Sequence, residues 1–168
     1  LPFQTGPEAL VEREINFPEG FSEEAKSIFT NNLGTIKSAL AADPSDLTVW
    51  FDLAIAYRMV DDPEGAVKVW EHILTLSPGN PVALHNLAEH YFHAEKDYPR
   101  AEDLYRQAIQ KNPEMSQNYT DLHEMYRYVY KQDTSAAVDI LKEALEKLPK
   151  EQQLNIYVLL ADYYKSVG

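Results

Sequence analysis

Four prolines, Pro44, Pro78, Pro113 and Pro149, recur at intervals of 34, 35 and 36 residues. A period of that length commits a chain to stacked small units, because one such unit cannot bury its apolar face without a neighbour. Each proline closes an apolar helical pattern: Ala39-Leu40, Ile73-Leu74, Ala108-Ile109 and Ala144-Leu145. Ahead of the last three lie small and bulky residues four apart, namely Ala66 and Trp70, Ala101 and Tyr105, Ala137 and Leu141. A second set opens each unit: Trp50, Leu53, Ala54 and Tyr57; Leu84, Leu87, Ala88 and Tyr91; Tyr119, Leu122, His123 and Tyr126. Spacings of three, four and seven place each set on one helical face. Each unit therefore reads as two helices of about 14 residues, each with one apolar stripe and too little core to fold alone. The alanines let paired helices approach, the aromatics fill the space beside them, and each proline ends one unit and starts the next.

The run Trp50-x2-Leu53-Ala54-x2-Tyr57, then Ala66-x3-Trp70, then Pro78, resembles the tetratricopeptide repeat. The resemblance covers three repeats, 47–80, 81–115 and 116–151, with a partial repeat at either end. It implies an all-α fold, a right-handed superhelical solenoid of antiparallel helix pairs. Two departures stand out. His123 occupies a place the family gives to a small residue, which predicts a splayed or tilted third pair. The second and third repeats carry one and two extra residues, expected in the turns near Lys96-Asp97 and Gln132-Asp133.

Residues 1–20 hold Pro2, Pro7 and Pro18 with Gly6 and Gly20, and read as an extended acidic lead-in, a linker. Residues 21–43 carry the stripe Phe21, Ala25, Ile28, Phe29, Leu33, Ile36 and Leu40 behind the N-cap Ser22, and read as one capping helix. Residues 152–168 repeat the first-helix pattern and stop before a second helix. Their stripe of Tyr157, Leu160 and Tyr164 is the candidate self-association surface, since an uncovered apolar face marks a contact or a truncation. The chain begins at Leu1 rather than methionine, which suggests an ectodomain behind a removed signal or membrane anchor, with the cytoplasm as the other compartment. The longest apolar run, Ile156–Ala161, is far short of the ~20 residues that span a bilayer, so this fragment itself has no expected membrane contact.

Composition removes several classes of function. With no cysteine there are no disulfides, thiolate metal sites or cysteine nucleophiles. No two of the six glycines are closer than 14 residues, so neither the dinucleotide fingerprint nor the phosphate loop is present. A net charge of −12 without a basic patch opposes nucleic acid. His123-Glu124-Met125-Tyr126-Arg127 has arginine where a zinc protease needs its second histidine, and no G-x-S-x-G elbow occurs. These absences predict no catalytic residues, no cofactor and no metal. His85, Glu89 and His93 lie at i, i+4 and i+8, a rise of about 12 Å from end to end, too long for three of them to hold one ion. A metal or ligand site at His85 and Glu89 therefore needs Glu124 or another neighbour.

The expected partner is a protein or peptide, with a homo-oligomer as the alternative. Resemblance and spacing together place the inner wall of a concave groove at Phe51, Ile55, Arg58 and Met59, at His85, Glu89, Phe92 and His93, and at Thr120, Glu124, Arg127 and Tyr128. Val158, Asp162, Lys165 and Ser166 continue it. Aromatics and arginines in such a wall suit a segment with apolar anchors, and the acids favour mixed or basic charge. One subclass is excluded. Tetratricopeptide co-chaperones hold acidic tails with lysines, an arginine and two asparagines, and of the matching positions Phe51, Ile55, Asn86, Gln117 and Asp121 only Asn86 fits.

Overall fold

The computed structural model describes residues 6–132 and 134–167. Every regular element among them is helical, arranged as antiparallel pairs in two compact units, Leu1–Pro78 and Gly79–Gly168. None of these helices is long and apolar enough to cross a membrane.

The first unit contains α1 (Pro7–Val11), α2 (Glu23–Ala42), α3 (Leu47–Met59) and α4 (Pro63–Leu76). Helix starts are set locally. Ser22 accepts from the Ala25 amide, Asp46 from Thr48 and Val49, and Asp62 from Gly65, each satisfying donors that a first turn leaves free. The α3–α4 pair closes on Trp50, Leu53, Ala54, Tyr57, Ala66, Val69, Trp70 and Ile73, all buried. Trp50 also turns its indole Nε1 back to the Pro44 carbonyl at 2.8 Å, and Tyr119 makes the same six-residue return to Pro113 at 2.9 Å in the other unit. The aromatic that opens a repeat thus satisfies the carbonyl of the proline that closed the one before.

Residues 1–5 of the expected lead-in lie outside the described residues; from Gly6 onward it differs from the extended segment expected. Pro7 sits where a first-turn amide is not needed, and Pro7–Val11 winds into a short helix against α4. Beyond it, Tyr57 donates its hydroxyl to the Leu10 carbonyl, Arg13 forks onto Asp62, and Phe17 sets its ring edge-on to Phe29 at 5.5 Å. Burial, followed by the Asp62 charge, pushes the Tyr57 phenol up to about 12. From Pro7 onward the segment is packed onto the first unit as part of it.

The second unit contains α5 (Pro81–His90), one π-helical turn (Tyr91–Glu95), α6 (Tyr98–Lys111), α7 (Ser116–Tyr128), α8 (Ala136–Lys147), a 3₁₀ turn (Lys150–Gln152) and α9 (Leu154–Val167). Its core runs from Ala88 and Ala101 through Tyr105, Tyr119, Leu122 and Tyr126 to Leu141 and Ile156. Each pair in the molecule turns at a left-handed residue: Asp61, Lys96 and Lys131 have φ of 57°, 56° and 58°. That residue follows Trp50 by eleven positions, but Leu84 and Tyr119 by twelve. In the second repeat the extra residue is absorbed by the π turn, which widens the helix by one residue. In the third, the Tyr130 amide closes on the Met125 carbonyl at 2.8 Å, five residues back, to the same effect. The other extra residue falls between Lys131 and Ala136; of the expected turn there, Gln132 is described and residue 133 lies outside the described residues.

His123, in the place the family gives to a small residue, makes a specific contact across the third pair. The enclosed ring donates from Nδ1 to the Ala137 carbonyl at 2.7 Å, joining α7 to α8. Burial holds its pKa below the ordinary imidazole value, so the neutral, single-donor form is favoured.

Candidate functional site

In the first unit, Phe51 is half-buried while Ile55, Arg58 and Met59 are exposed. Ile55 and Met59 line an apolar cleft of about 620 Å³ together with Phe21, Ile28 and Ile36 of the α2 region.

The second unit brings together more chemistry, because α5, α7 and α9 carry most of the polar residues expected on a wall. Arg127 reaches from α7 to α9, donating Nη1 to Asp162 at 2.7 Å and Nη2 to the Ser166 hydroxyl at 3.1 Å. Its guanidinium stands 5.1 Å from the Tyr128 ring centre and 5.9 Å from that of Tyr163. Tyr128 itself is 56% exposed. Glu124 and His93 are exposed, and Thr120 is half-buried with its hydroxyl returned to the Gln117 carbonyl. Val158, Asp162, Lys165 and Ser166 lie on α9, and Asp162, Lys165 and Ser166 are exposed there along with Val158.

Two of the expected wall residues are turned inward. Phe92 is only 7% exposed and belongs to the core, stacked on His93 at 4.1 Å and edge-on to Tyr98 at 6.2 Å. The cause is the π turn: one added residue rotates the rest of the helix by about 100°, so the register that leaves Arg58 exposed in the first repeat points Phe92 into the core. His85 is equally enclosed, at 7% exposed. Its Nδ1 lies 2.9 Å from the Asn118 side-chain oxygen, and since an amide oxygen only accepts, Nδ1 is the donor. Nε2 faces the Glu89 carboxylate at 3.8 Å, while Asp121 Oδ2 lies 3.8 Å from Nδ1.

Sequence reasoning found His85 and Glu89 but not Asn118 and Asp121. These come from the next first helix, at a register where the polar side of α7 meets that of α5. Asp121 is held by Gln117, which donates to Oδ1 at 2.8 Å, while Oδ2 is buried without a hydrogen-bond partner among the described residues. Burial raises the Asp121 pKa, against the lowering from Gln117 and His85, and Glu89 and Glu124 add to the rise. Tyr105 packs its ring 5.8 Å from that of His85. Its fully buried hydroxyl makes no close hydrogen bond among the described residues, and its pKa is driven far up by burial, then by the charges of Asp121, Glu89 and Glu124 and by a hydrogen bond toward Asp121. The arrangement supplies carboxylate acceptors and an imidazole nitrogen, suited to holding a cationic group.

On α9 the inward residues are Ile156, buried, with Leu159, Leu160 and Tyr163 partly so. Of the expected stripe, Tyr157 and Tyr164 are 55% and 52% exposed, whereas Leu160 packs against the core.

Models of the tetratricopeptide repeat match residues 47–90 and 83–117. Among curated proteins, the protein adenylyltransferase Fic of Aedes aegypti is 27% identical over 128 residues, and that of Culex quinquefasciatus 24% identical over 128 residues. Each alignment takes in 69% of this chain and 24% of the relative, so the chain spans about a quarter of the length of these relatives. Among solved structures, the crystal structure of MamA matches with a TM-score of 0.63 and 20% identity, covering 92% of this chain and 87% of that one, a likeness of fold.

Proposed function

This chain belongs to the tetratricopeptide-repeat family, and on that premise we propose that it is a non-enzymatic scaffold that binds a peptide or protein segment. The observation that carries the proposal is Tyr128, an exposed aromatic beside an arginine already fixed by Asp162 and Ser166. An anchor held in place before binding loses little rotamer freedom on binding, so more of its contact energy survives as affinity. Glu124 and His93 flank the same wall of the second unit, and Glu124 has no lysine or arginine within ion-pair distance among the described residues. The partner is therefore a segment with an apolar or aromatic anchor and basic flanks. In the first unit, exposed Ile55 and Arg58 with half-buried Phe51 offer a wall of the same kind and belong to the proposal. Adenylyl transfer is named for the much longer insect relatives and forms no part of it.

The test starts from a segment captured with this chain as bait and then measures its affinity by calorimetry. Tyr128→Ala and Glu124→Lys each weaken binding by about 1–3 kcal/mol, while Lys142→Glu on the exposed side of α8 leaves it unchanged. Parent-like binding by both wall variants, with loss in Lys142→Glu, places the binding surface elsewhere.

The exposed tyrosines of α9 favour a second reading, self-association through that helix. Sedimentation distinguishes the two.

A further inference from the structure

We propose that His85, Glu89 and Asp121 form a binding site for one divalent transition cation of the Zn²⁺ type. One nitrogen of His85 and one oxygen each of Glu89 and Asp121 lie within 4.8 Å of one another. A tetrahedral ion with bonds of about 2.0–2.2 Å needs its donors roughly 3.4 Å apart, so the 3.8 Å between His85 Nε2 and Glu89 Oε2 closes with a few tenths of an ångström of side-chain movement. Glu89 is only half-buried, which leaves it free to make that adjustment.

Three further features set this cluster apart from an ordinary group of surface acids. First, the His85 ring is oriented. The side-chain oxygen of Asn118, wholly buried, accepts from Nδ1, and Nε2 faces Glu89; a ligating histidine is oriented by just such an outer hydrogen bond. Second, a polar atom is left waiting at the site. Asp121 Oδ2 is buried with no close hydrogen bond among the described residues, and the Tyr105 hydroxyl, fully enclosed beside the His85 ring, has Asp121 as the acceptor that acts on it. Leaving such a group unpaired is costly, and a bound cation gives Asp121 Oδ2 a partner outright. Third, the charge is uncompensated. Among the described residues no lysine or arginine lies within ion-pair distance of Glu89, Asp121 or Glu124, and Arg127, nearby on α7, is spent on Asp162. One imidazole with two carboxylates is a borderline donor set, which selects Zn²⁺, Co²⁺ or Mn²⁺ over the all-oxygen preference of Ca²⁺ and Mg²⁺. Three protein donors leave a fourth position open to water or to a group from a partner.

This site stands independently of peptide binding, and its test uses no partner. The tag-free chain is titrated with Zn²⁺ by calorimetry, and with Co²⁺ by its visible ligand-field absorption. The expected result is one ion per chain, with Glu89→Gln and Asp121→Asn each weakening Zn²⁺ affinity at least about 10-fold and lowering the Co²⁺ bands. His93→Ala, on the exposed side of the π turn, leaves both unchanged. His85→Gln abolishes binding; because that residue is buried, its far-ultraviolet spectrum and melt are read alongside, and the near-isosteric Glu89→Gln carries the decision where folding is disturbed. No Zn²⁺ uptake by the parent overturns the proposal. So does uptake that Glu89→Gln and Asp121→Asn leave intact, which assigns the ion to other surface groups.

Discussion

At Asp62 one carboxylate serves a local and a tertiary partner. Oδ1 accepts from the Gly65 amide at 2.9 Å, capping α4, and from Arg13 Nη2 at 3.0 Å, while Oδ2 receives Arg13 Nε at 2.5 Å, 49 residues away in the lead-in. Burial alone would raise its pKa, but the Arg13 hydrogen bond, the Gly65 amide and the guanidinium charge outweigh that and hold it below the ordinary carboxylate value. A carboxylate whose folded pKa is depressed adds stability that is fully present above its unfolded pKa of about 3.9 and is lost as pH falls through the folded value. Asp62→Asn keeps a competent cap and removes the charge. Because both partners are partly exposed, the expected loss at neutral pH is only about 0.5–1 kcal/mol. Urea midpoints of parent and variant then converge below about pH 4. A gap of equal size at pH 7 and at pH 3 excludes the ion pair as its source. The cap is a local matter, an acid directly before Pro63; the Arg13 contact is not, since nothing local to a lead-in announces which distant carboxylate it meets.

Helix pairs depend on where small residues fall. Ala66, Ala101 and Ala137 occupy equivalent places in the three repeats, and all are buried. Gly34 is the opposite case: it lies inside α2, and a methyl added there meets nothing within 4 Å. The two sites predict opposite signs. Ala101→Leu lowers stability by about 1–3 kcal/mol through overpacking of α6 in the second unit. Gly34→Ala raises it by roughly 0.5–1 kcal/mol, because the unfolded chain loses freedom and the helix gains a better former. Thermal melts read both, and an unchanged melt in Ala101→Leu shows that no neighbouring helix packs closely there. Helix existence and pairing were readable from periodicity, because burial forces apolar residues onto a single face. The π turn was not, and with it went the placement of Phe92. A one-residue insertion can be taken up in the loop or in the helix, and only packing selects the helix.

Across the whole chain, a net charge of −12 opposes association between copies, while the exposed Tyr157, Val158 and Tyr164 of α9 favour it. Salt screens the first and leaves the second. If α9 joins copies, sedimentation velocity at increasing protein concentration shows monomer at low ionic strength and a growing dimer population at high. Tyr157→Glu and Tyr164→Glu then remain monomeric under both conditions. Variants that sediment like the parent, or a parent that stays monomeric at high salt, remove α9 as the interface.

The repeat period, the helix pairs with their buried alanines and the resemblance to the tetratricopeptide repeat were all legible in the linear chain. Each depends on residues close in sequence or on composition, and periodicity carries that information without knowledge of the fold. Tertiary structure decided the rest. It wound Pro7–Val11 into a helix on α4, turned Phe92 and Leu160 inward, and committed Arg127 to Asp162. It also brought Asn118 and Asp121 to His85, across 33 and 36 residues. Contacts between successive first helices depend on the relative rotation of two helices, and a rotation of about 100°, the angle of one residue, exchanges one partner for another. Local patterns say which face of a helix is buried; only the packed pair decides which polar side chains meet at its edge.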